Sequence, residues 1–402
     1  MLQARHIETV QSTLPLLESA GTALTEHFYA RMFRDNPELK DVFNLAHQKS
    51  GAQPVALFNA ILAYARHLNN PAVLSQAIER IAQKHTGFLI RPEQYAIVGH
   101  HLLATIRELA PDAATPEVLE AWGLAYQQLA QIFIGREAEI YDQAADTAGG
   151  WRGTRRFRLI GKTQESELIT SFEFAPVDGK AVSTFKPGQY ITVSISHPSL
   201  EQHEFRQYSL SDAPNGRSYR ISVKREDTPV PGQVSSYLHT QLQVGDEIDL
   251  LPPAGDFFLN VEHEAPVVLL SGGVGLTPML SMFNNLAQTT GRQAPVYYLH
   301  GCENGRQHAF AEHVAGLCAN DALLHSFTWY QAPLATDIAD QDYQNTGLMD
   351  LAPLRAAING DKTEYYFCGP LPFMQSIHRQ LKAWGVADNR LHYELFGPHQ
   401  SL

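Results

Sequence analysis

Ser271-Gly272-Gly273-Val274-Gly275-Leu276-Thr277-Pro278 follows the run Val267-Val268-Leu269-Leu270 and opens a segment with helical periodicity. A continuous apolar run ending at glycine reads as a strand covered on both faces, as in a parallel sheet. Glycines at the strand end let the backbone approach a pyrophosphate, and the start of a helix favours its negative charge. The spacing falls short of the full dinucleotide fingerprint, so by itself it also fits a tight turn that binds nothing. A second turn, Cys368-Gly369-Pro370, follows Tyr365-Tyr366-Phe367 and leads into the helix predicted for Met374–Leu381. With Val296-Tyr297-Tyr298-Leu299 as a further strand, these runs predict an α/β doubly wound domain over 265–402. Both turns then lie at the carboxyl ends of neighbouring strands and form one crevice.

Upstream the texture changes. Residues 189–195 and 219–223 alternate with period two between Gly, Pro and Asn turns, which predicts an antiparallel β-barrel over 151–262. Within it, Arg206-Gln207-Tyr208-Ser209 puts Arg206 and Tyr208 on one strand face, a guanidinium for phosphate beside a tyrosine for an aromatic ring system. Gly232-Gln233-Val234-Ser235-Ser236 offers backbone and hydroxyl hydrogen bonds to a diphosphate at a helix start. From the start to about Tyr141, apolar residues recur every three to four positions and prolines at 15, 37, 54, 71, 92, 111 and 116 punctuate the segments. This predicts an all-α domain over 1–147, joined by a short linker, Ala144–Gly150, that favours a fixed arrangement.

At 402 residues the chain is too long for one ordinary core. A formal net charge of −12 with no Lys/Arg block argues against nucleic acid or an anionic membrane surface as partner. No apolar run is long enough to span a bilayer, and Met1-Leu2-Gln3-Ala4-Arg5-His6 lacks the apolar core of a signal peptide. Cys302, Cys318 and Cys368 are odd in number and irregular in spacing, which fits a reduced cytoplasmic chain with no cysteine metal site. A monomer is expected.

In the helical domain, His85 stands in Ile81-Ala82-Gln83-Lys84-His85-Thr86-Gly87-Phe88, with Leu74, Ile78 and Ile81 stacked ahead of it on one helical face. The imidazole is thus aimed into an apolar interior, either as a satisfied core histidine or as a metal ligand between helices. Tyr29 has Phe33 one turn on, Phe43 follows a turn after Asn36-Pro37-Glu38, and Gln53 and Leu57 share a face with Ile61 and Tyr64. Taken singly, Tyr29 and Tyr95 read as core tyrosines, and Glu137 in Arg136-Glu137-Ala138-Glu139 reads as a solvated helix face.

The Arg206–Ser209, Gly232–Ser236 and Ser271–Pro278 pieces, in this order, resemble the ferredoxin–NADP reductase superfamily from about Trp151 to the end of the chain. The resemblance implies that Tyr190, Arg206, Gln207, Tyr208 and Ser209 hold FAD, with Gly232, Gln233, Val234 and Ser235 at its diphosphate. It implies that Gly272, Gly273, Val274, Gly275, Leu276 and Thr277, with Cys368, Gly369 and Pro370, receive the nicotinamide nucleotide. The stretch Glu394-Leu395-Phe396-Gly397-Pro398 would lie against the flavin ring. The helical domain looks like a globin, and residues 38–44 and 83–86 carry that likeness, so the whole chain resembles the flavohaemoglobin family. By this resemblance His85 is the proximal iron ligand of haem b, Phe43 packs on the macrocycle, and Tyr29, Gln53 and Leu57 line the distal pocket.

Tyr95 and Glu137 match a family pair behind the proximal histidine, where a carboxylate on the far ring nitrogen pushes electron density onto iron. Lys84 and Glu394 would flank the two cofactors and tune their potentials. The implied activity is an NAD(P)H-dependent nitric oxide dioxygenase that converts nitric oxide and O2 to nitrate. The same electron path also serves a hydroperoxide or anaerobic nitric oxide reductase, or an oxygen carrier or sensor, and the haem pocket would suit lipid in a further alternative. Leu299-His300-Gly301-Cys302-Glu303 shows neither an acidic residue at the strand end nor an Arg pair for a 2′-phosphate, so NADH and NADPH both remain open.

Overall fold

The computed structural model describes residues 2–42, 51–200, 202–227, 231–261 and 264–397. Phe43 and Pro398, both assigned above to cofactor contacts, lie outside the described residues. The chain forms two compact units. The first holds residues through Asp146 with Ser194–Phe205 and Gly397, and the second holds the remaining described residues.

The first unit carries α1 (Ala4–Ser12), α2 (Leu14–Ala20), α3 (Ala23–Asp35), α4 (Ala52–Arg66), α5 (Ser75–Thr86), α6 (Pro92–Leu109) and α7 (Pro116–Asp146). The prolines work as initiators. Pro15, Pro92 and Pro116 occupy the first two positions of α2, α6 and α7, where a missing N–H costs nothing. Pro37 and Pro71 open short 3₁₀ turns. Helix α7 runs to Asp146, so the first part of the stretch read as linker is helical. Phe28, Met32, Ile61, Tyr64, Leu102 and Trp122 build the main core. A smaller core gathers Ala82, Phe133 and Ile140, with Ile78, Ile81 and Tyr95 packed against it. Leu74, read above on the His85 face, packs instead on the main core.

A six-stranded antiparallel sheet follows, with β1 (Arg155–Gln164), β2 (Ile169–Pro176), β3 (Tyr190–Ile195), β4 (Glu204–Ser209), β5 (Tyr219–Lys224) and β6 (Glu247–Leu250). Its order is β4-β3-β6-β1-β2-β5. The two outer strands meet where Leu210 bridges Ile221 and Ser211 N donates to Arg220 O at 2.9 Å. The sheet therefore closes into a barrel and leaves no long free edge. Helix α8 (Gln233–Thr240) lies between β5 and β6.

The last sheet contains β7 (Val267–Gly272), β8 (Val296–Cys302), β9 (Leu324–Tyr330), β10 (Asn345–Thr346), β11 (Glu364–Cys368) and β12 (Leu391–Glu394). All are parallel, in the order β10-β9-β8-β7-β11-β12, so the winding reverses between β7 and β11. Helices α9 (Leu276–Gln288) and α10 (Ala311–Asn320) join one face, with Leu269, Tyr298 and Tyr366. The short α11 (Arg355–Ile358) and α12 (Leu371–Ala383) join the other, with Val268, Leu270 and Phe367. Both faces are covered, which is why these strands read as unbroken apolar runs. Among the described residues, no helix is long and apolar enough to cross a membrane.

On the face of α9 and α10, His300 and His308 are stacked with ring centroids 5.4 Å apart. Burial pushes His308 from the ordinary 6.5 down to about 4. Below the ordinary value the unfolded chain takes up a proton that the fold refuses, so stability should fall as pH drops from 6.5 towards 4. Urea-unfolding midpoints over that range should slope less in His308→Phe than in the parent chain. Equal slopes would refute this assignment.

Candidate functional site

His85 lies in the last turn of α5, where Gly87 caps the helix and Leu89 takes φ +53°. Phe88 and Ile90 donate to the His85 carbonyl at 2.9 and 3.3 Å, so the turn holds the base of the ring. Helix α6 presents Tyr95 from its first turn, and α7 presents Phe133 and Glu137 one turn apart. His85 Nδ1 lies 2.8 Å from Glu137 Oε1 and 2.9 Å from the Tyr95 hydroxyl, which donates to the same Glu137 oxygen. The Phe133 ring packs 5.6 Å from the imidazole and 6.4 Å from Tyr95. Glu137 is 3% exposed, although Arg136 and Glu139 beside it face outward. A carboxylate buried this deeply needs donors, and here it has two. Burial, reinforced by Glu137, raises the Tyr95 pKa and keeps its hydroxyl a neutral donor. With Nδ1 engaged, Nε2 is the ring nitrogen left for a metal, and an acceptor behind Nδ1 makes it more basic.

Sequence reasoning missed the clamp beside this site. Arg136 forks onto Glu79 through Nε at 2.6 Å and Nη2 at 3.0 Å, and Nη1 reaches Glu139 at 2.7 Å. The fork ties α7 to α5 and so sets the spacing between Glu137 and His85. Tyr126 adds a bond to the Tyr95 carbonyl at 2.7 Å, its ring seated where a Cβ on Gly99 would stand 2.5 Å away. No periodic signal links positions 57 residues apart, as Arg136 and Glu79 are.

Within the main core of the first unit, Tyr29 is buried on α3 with Phe28 and Phe33 rings at 5.0 and 5.8 Å. Leu57 of α4 packs on the same core, and Gln53 is half-buried one turn earlier. Thr25 Oγ1 donates to the Pro54 carbonyl at 2.8 Å, joining α3 to the start of α4. Lys84 Nζ donates to the Gly397 carbonyl at 2.9 Å within this unit.

In the barrel, Arg206, Gln207 and Tyr208 are half-buried along β4, and Ser209 is buried. Tyr190 opens the neighbouring β3, exchanges backbone hydrogen bonds with Ala254 at 3.0 and 2.9 Å, and lays its ring against Gly255. Gly232 precedes α8, and a Cβ there would stand 2.6 Å from Ser235 Oγ, so a larger residue would displace that hydroxyl. At the last sheet, Gly273 takes φ +52° and Leu276 starts α9. A Cβ on Gly275 would fall 2.1 Å from the Cys368 carbonyl oxygen, and one on Gly369 3.1 Å from Gly272 N. The two glycine turns thus meet backbone to backbone at the reversal of the sheet, a contact that side chains would block. Thr277 is buried in the first turn of α9, where its hydroxyl donates to the Val274 carbonyl at 3.1 Å. Glu394 ends β12 beside Cys368, with Leu395 and Phe396 following.

Three family models match the chain in the order of these regions: globin over residues 26–133, oxidoreductase FAD-binding domain over 156–259, and oxidoreductase NAD-binding domain over 269–379. A flavohemoprotein of Vibrio cholerae is 51% identical over 404 residues, covering all of both chains. One from Rhizobium meliloti is 47% identical over 400 residues, covering 99% of each. The crystal structure of a flavohemoglobin from Malassezia yamatoensis with bound FAD and haem superposes with a TM-score of 0.86 at 26% identity, over 98% of this chain and 100% of that one. The flavohem-like FAD/NAD-binding domain of the nitric oxide dioxygenase from Vibrio cholerae matches 61% of this chain and 99% of its own at 44% identity, with a TM-score of 0.55. The chain belongs to the flavohaemoprotein family, in which a globin is joined to FAD-binding and NAD-binding oxidoreductase domains.

Proposed function

We propose that this chain is an NAD(P)H-dependent nitric oxide dioxygenase, a cytoplasmic monomer whose parts 1–147, 151–262 and 265–402 serve haem b, FAD and the nicotinamide nucleotide. The observation that carries the reading is the buried Glu137–His85–Tyr95 arrangement. A carboxylate behind the imidazole favours an electron-rich iron, which suits oxygen chemistry better than reversible carriage. Two oxidoreductase domains on the same chain support a catalytic cycle in which electrons are resupplied. The Vibrio cholerae structure, described as part of a nitric oxide dioxygenase, supports the same substrate.

When bound, NAD(P)H supplies hydride, FAD divides it into single electrons, and haem supplies the iron that handles them. The residues divide the remaining work. Glu137 accepts a hydrogen bond from His85 Nδ1–H and so leaves Nε2 to hold iron, while Tyr95 steadies the same carboxylate oxygen. Tyr29 provides a distal hydroxyl among aromatic rings, Leu57 an apolar wall and Gln53 an amide. Arg206 and the start of α8 hold phosphate, and Tyr190 and Tyr208 pack against the flavin ring system. The turns Gly272–Thr277 and Cys368–Pro370 take the nucleotide, with the Glu394–Pro398 stretch against the flavin and Lys84 and Glu394 tuning potentials.

The direct test is nitric oxide consumption by purified holoprotein with NADH, in the presence and absence of O2, with nitrate followed as product. Rapid O2-dependent loss with stoichiometric nitrate is expected. Slow loss with long-lived oxygenated haem bands would replace this reading with a carrier or sensor, and equal rates without O2 with a reductase. Glu137→Gln should lower turnover about 10- to 100-fold, the usual effect of losing a partner behind a metal-bound histidine, with the helical circular dichroism retained. Parent-like turnover would remove the carboxylate from the mechanism. Tyr29→Phe should speed O2 release about tenfold, the equivalent of one hydrogen bond to the ligand. An unchanged release rate in flash photolysis would take Tyr29 out of the distal site.

A further inference from the structure

The carboxyl edge of the parallel sheet holds an imidazole that the chemistry above does not use. Ser271, the last side chain of β7 before the glycine turn, pairs laterally with His300 on β8. By strand alternation both share the face of Leu269 and Tyr298, under α9 and α10. His300 is 1% exposed. Its Nδ1 lies 2.8 Å from Ser271 Oγ, and its Nε2 has no partner. Its ring stacks on His308, which is fixed through Nδ1 to the Tyr330 hydroxyl at 2.9 Å. The imidazole therefore spends its polar capacity on Ser271 alone. A group that only filled space would do better as phenylalanine, with no nitrogen left unsatisfied in the interior. Ser271 also reaches the Leu299 carbonyl at 3.3 Å, and its backbone runs directly into Gly272.

We propose that His300 is a positioning residue for the nicotinamide nucleotide: by holding the Ser271 hydroxyl it fixes the first peptide planes of the Gly272–Gly275 turn. It thereby sets the affinity of the turn without touching the nucleotide. The inference rests on the reading of that turn as the nucleotide site. Neutral His300 serves in either proton arrangement. Ser271 donates to Nδ1, or Nδ1–H donates to Ser271 while the hydroxyl turns to Leu299. Burial, with His308 alongside, holds the His300 pKa well below the usual histidine range, so the contact persists across neutral pH.

Stopped-flow reduction of the flavin in the holoenzyme at increasing NADH separates apparent Kd from limiting rate. His300→Phe keeps the stacked ring but removes Nδ1. It should raise the apparent Kd about tenfold, the equivalent of one buried hydrogen bond, with the limiting rate changed by less than about twofold. His300→Asn sets an amide atom near the position of Nδ1 and should recover most of the loss. His300→Gln sets its amide near Nε2 and should not. Haem reduction after photoreduction of the flavin should match the parent in all three. A parent-like Kd in His300→Phe, or equal behaviour of the Asn and Gln variants, overturns the proposal. Hydrogen exchange of residues 272–277 in the parent, with and without NAD⁺, tests the underlying reading separately. Protection there alongside a parent-like Kd in His300→Phe refutes the positioning role alone, whereas no protection refutes the turn as the nucleotide site.

Discussion

A carboxylate inside a helical core is tolerated only where donors converge on it, and Glu137 imposes that condition on the first unit. Its two donors come from different helices, so α5, α6 and α7 must all be in place before the charge is satisfied. Removing one partner from such a group costs about 3–5 kcal/mol, far more than one surface contact returns. The Arg136–Glu79 fork beside it is partly exposed, and pairs of that kind contribute about 0–1 kcal/mol. Its importance is therefore geometric. Glu79 lies on the helix of His85 and Arg136 is the residue before Glu137, so the fork sets how closely imidazole and carboxylate approach.

The second unit meets a different constraint, written in backbone rather than charge. Strands β7 and β11 pair with Ser271 opposite Cys368, so the turns that follow them leave the sheet side by side. Two chains leaving adjacent strands can run in backbone contact only if their own side chains stay out. Gly275 against the Cys368 carbonyl and Gly369 against Gly272 meet that need. Helix α9 then begins at once, directly from the 3₁₀ turn Gly273–Gly275. The order of strands, the positions of the glycines and the start of the helix are thus one arrangement.

Much of this was legible because each region buries its apolar residues with a different period. Runs without polar residues marked a sheet covered on both sides, period two marked the barrel, and prolines marked helix starts. What escaped were contacts between positions far apart in sequence. Glu137 reads as a solvated helix face because its neighbours Arg136 and Glu139 are, and its partner His85 lies 52 residues away. His300 entered the sequence reading only as a place where an acidic residue was missing. Its bond to Ser271 depends on the lateral register of β7 and β8, which neither segment specifies alone. Leu74, in sequence spacing a neighbour of Ile78 and Ile81, belongs to another core because it sits in the 3₁₀ turn Pro71–Leu74, ahead of the helix that begins at Ser75.

Three imidazoles in this chain differ by what each ring nitrogen meets. His85 meets a carboxylate at Nδ1, an acceptor that draws the proton there and leaves Nε2 as a basic lone pair. His101 meets the Asn36 side-chain amide oxygen at Nε2, which draws its proton to that side and strands Nδ1 among helices. His300 meets a hydroxyl, which donates or accepts equally well and so confers no basicity. Burial holds His101 and His300 below the usual histidine range. Of these three rings, His85 alone has an anionic acceptor behind it. The difference between a ligand and a strut is therefore set by the partner of the far nitrogen, and in this chain that partner is Glu137.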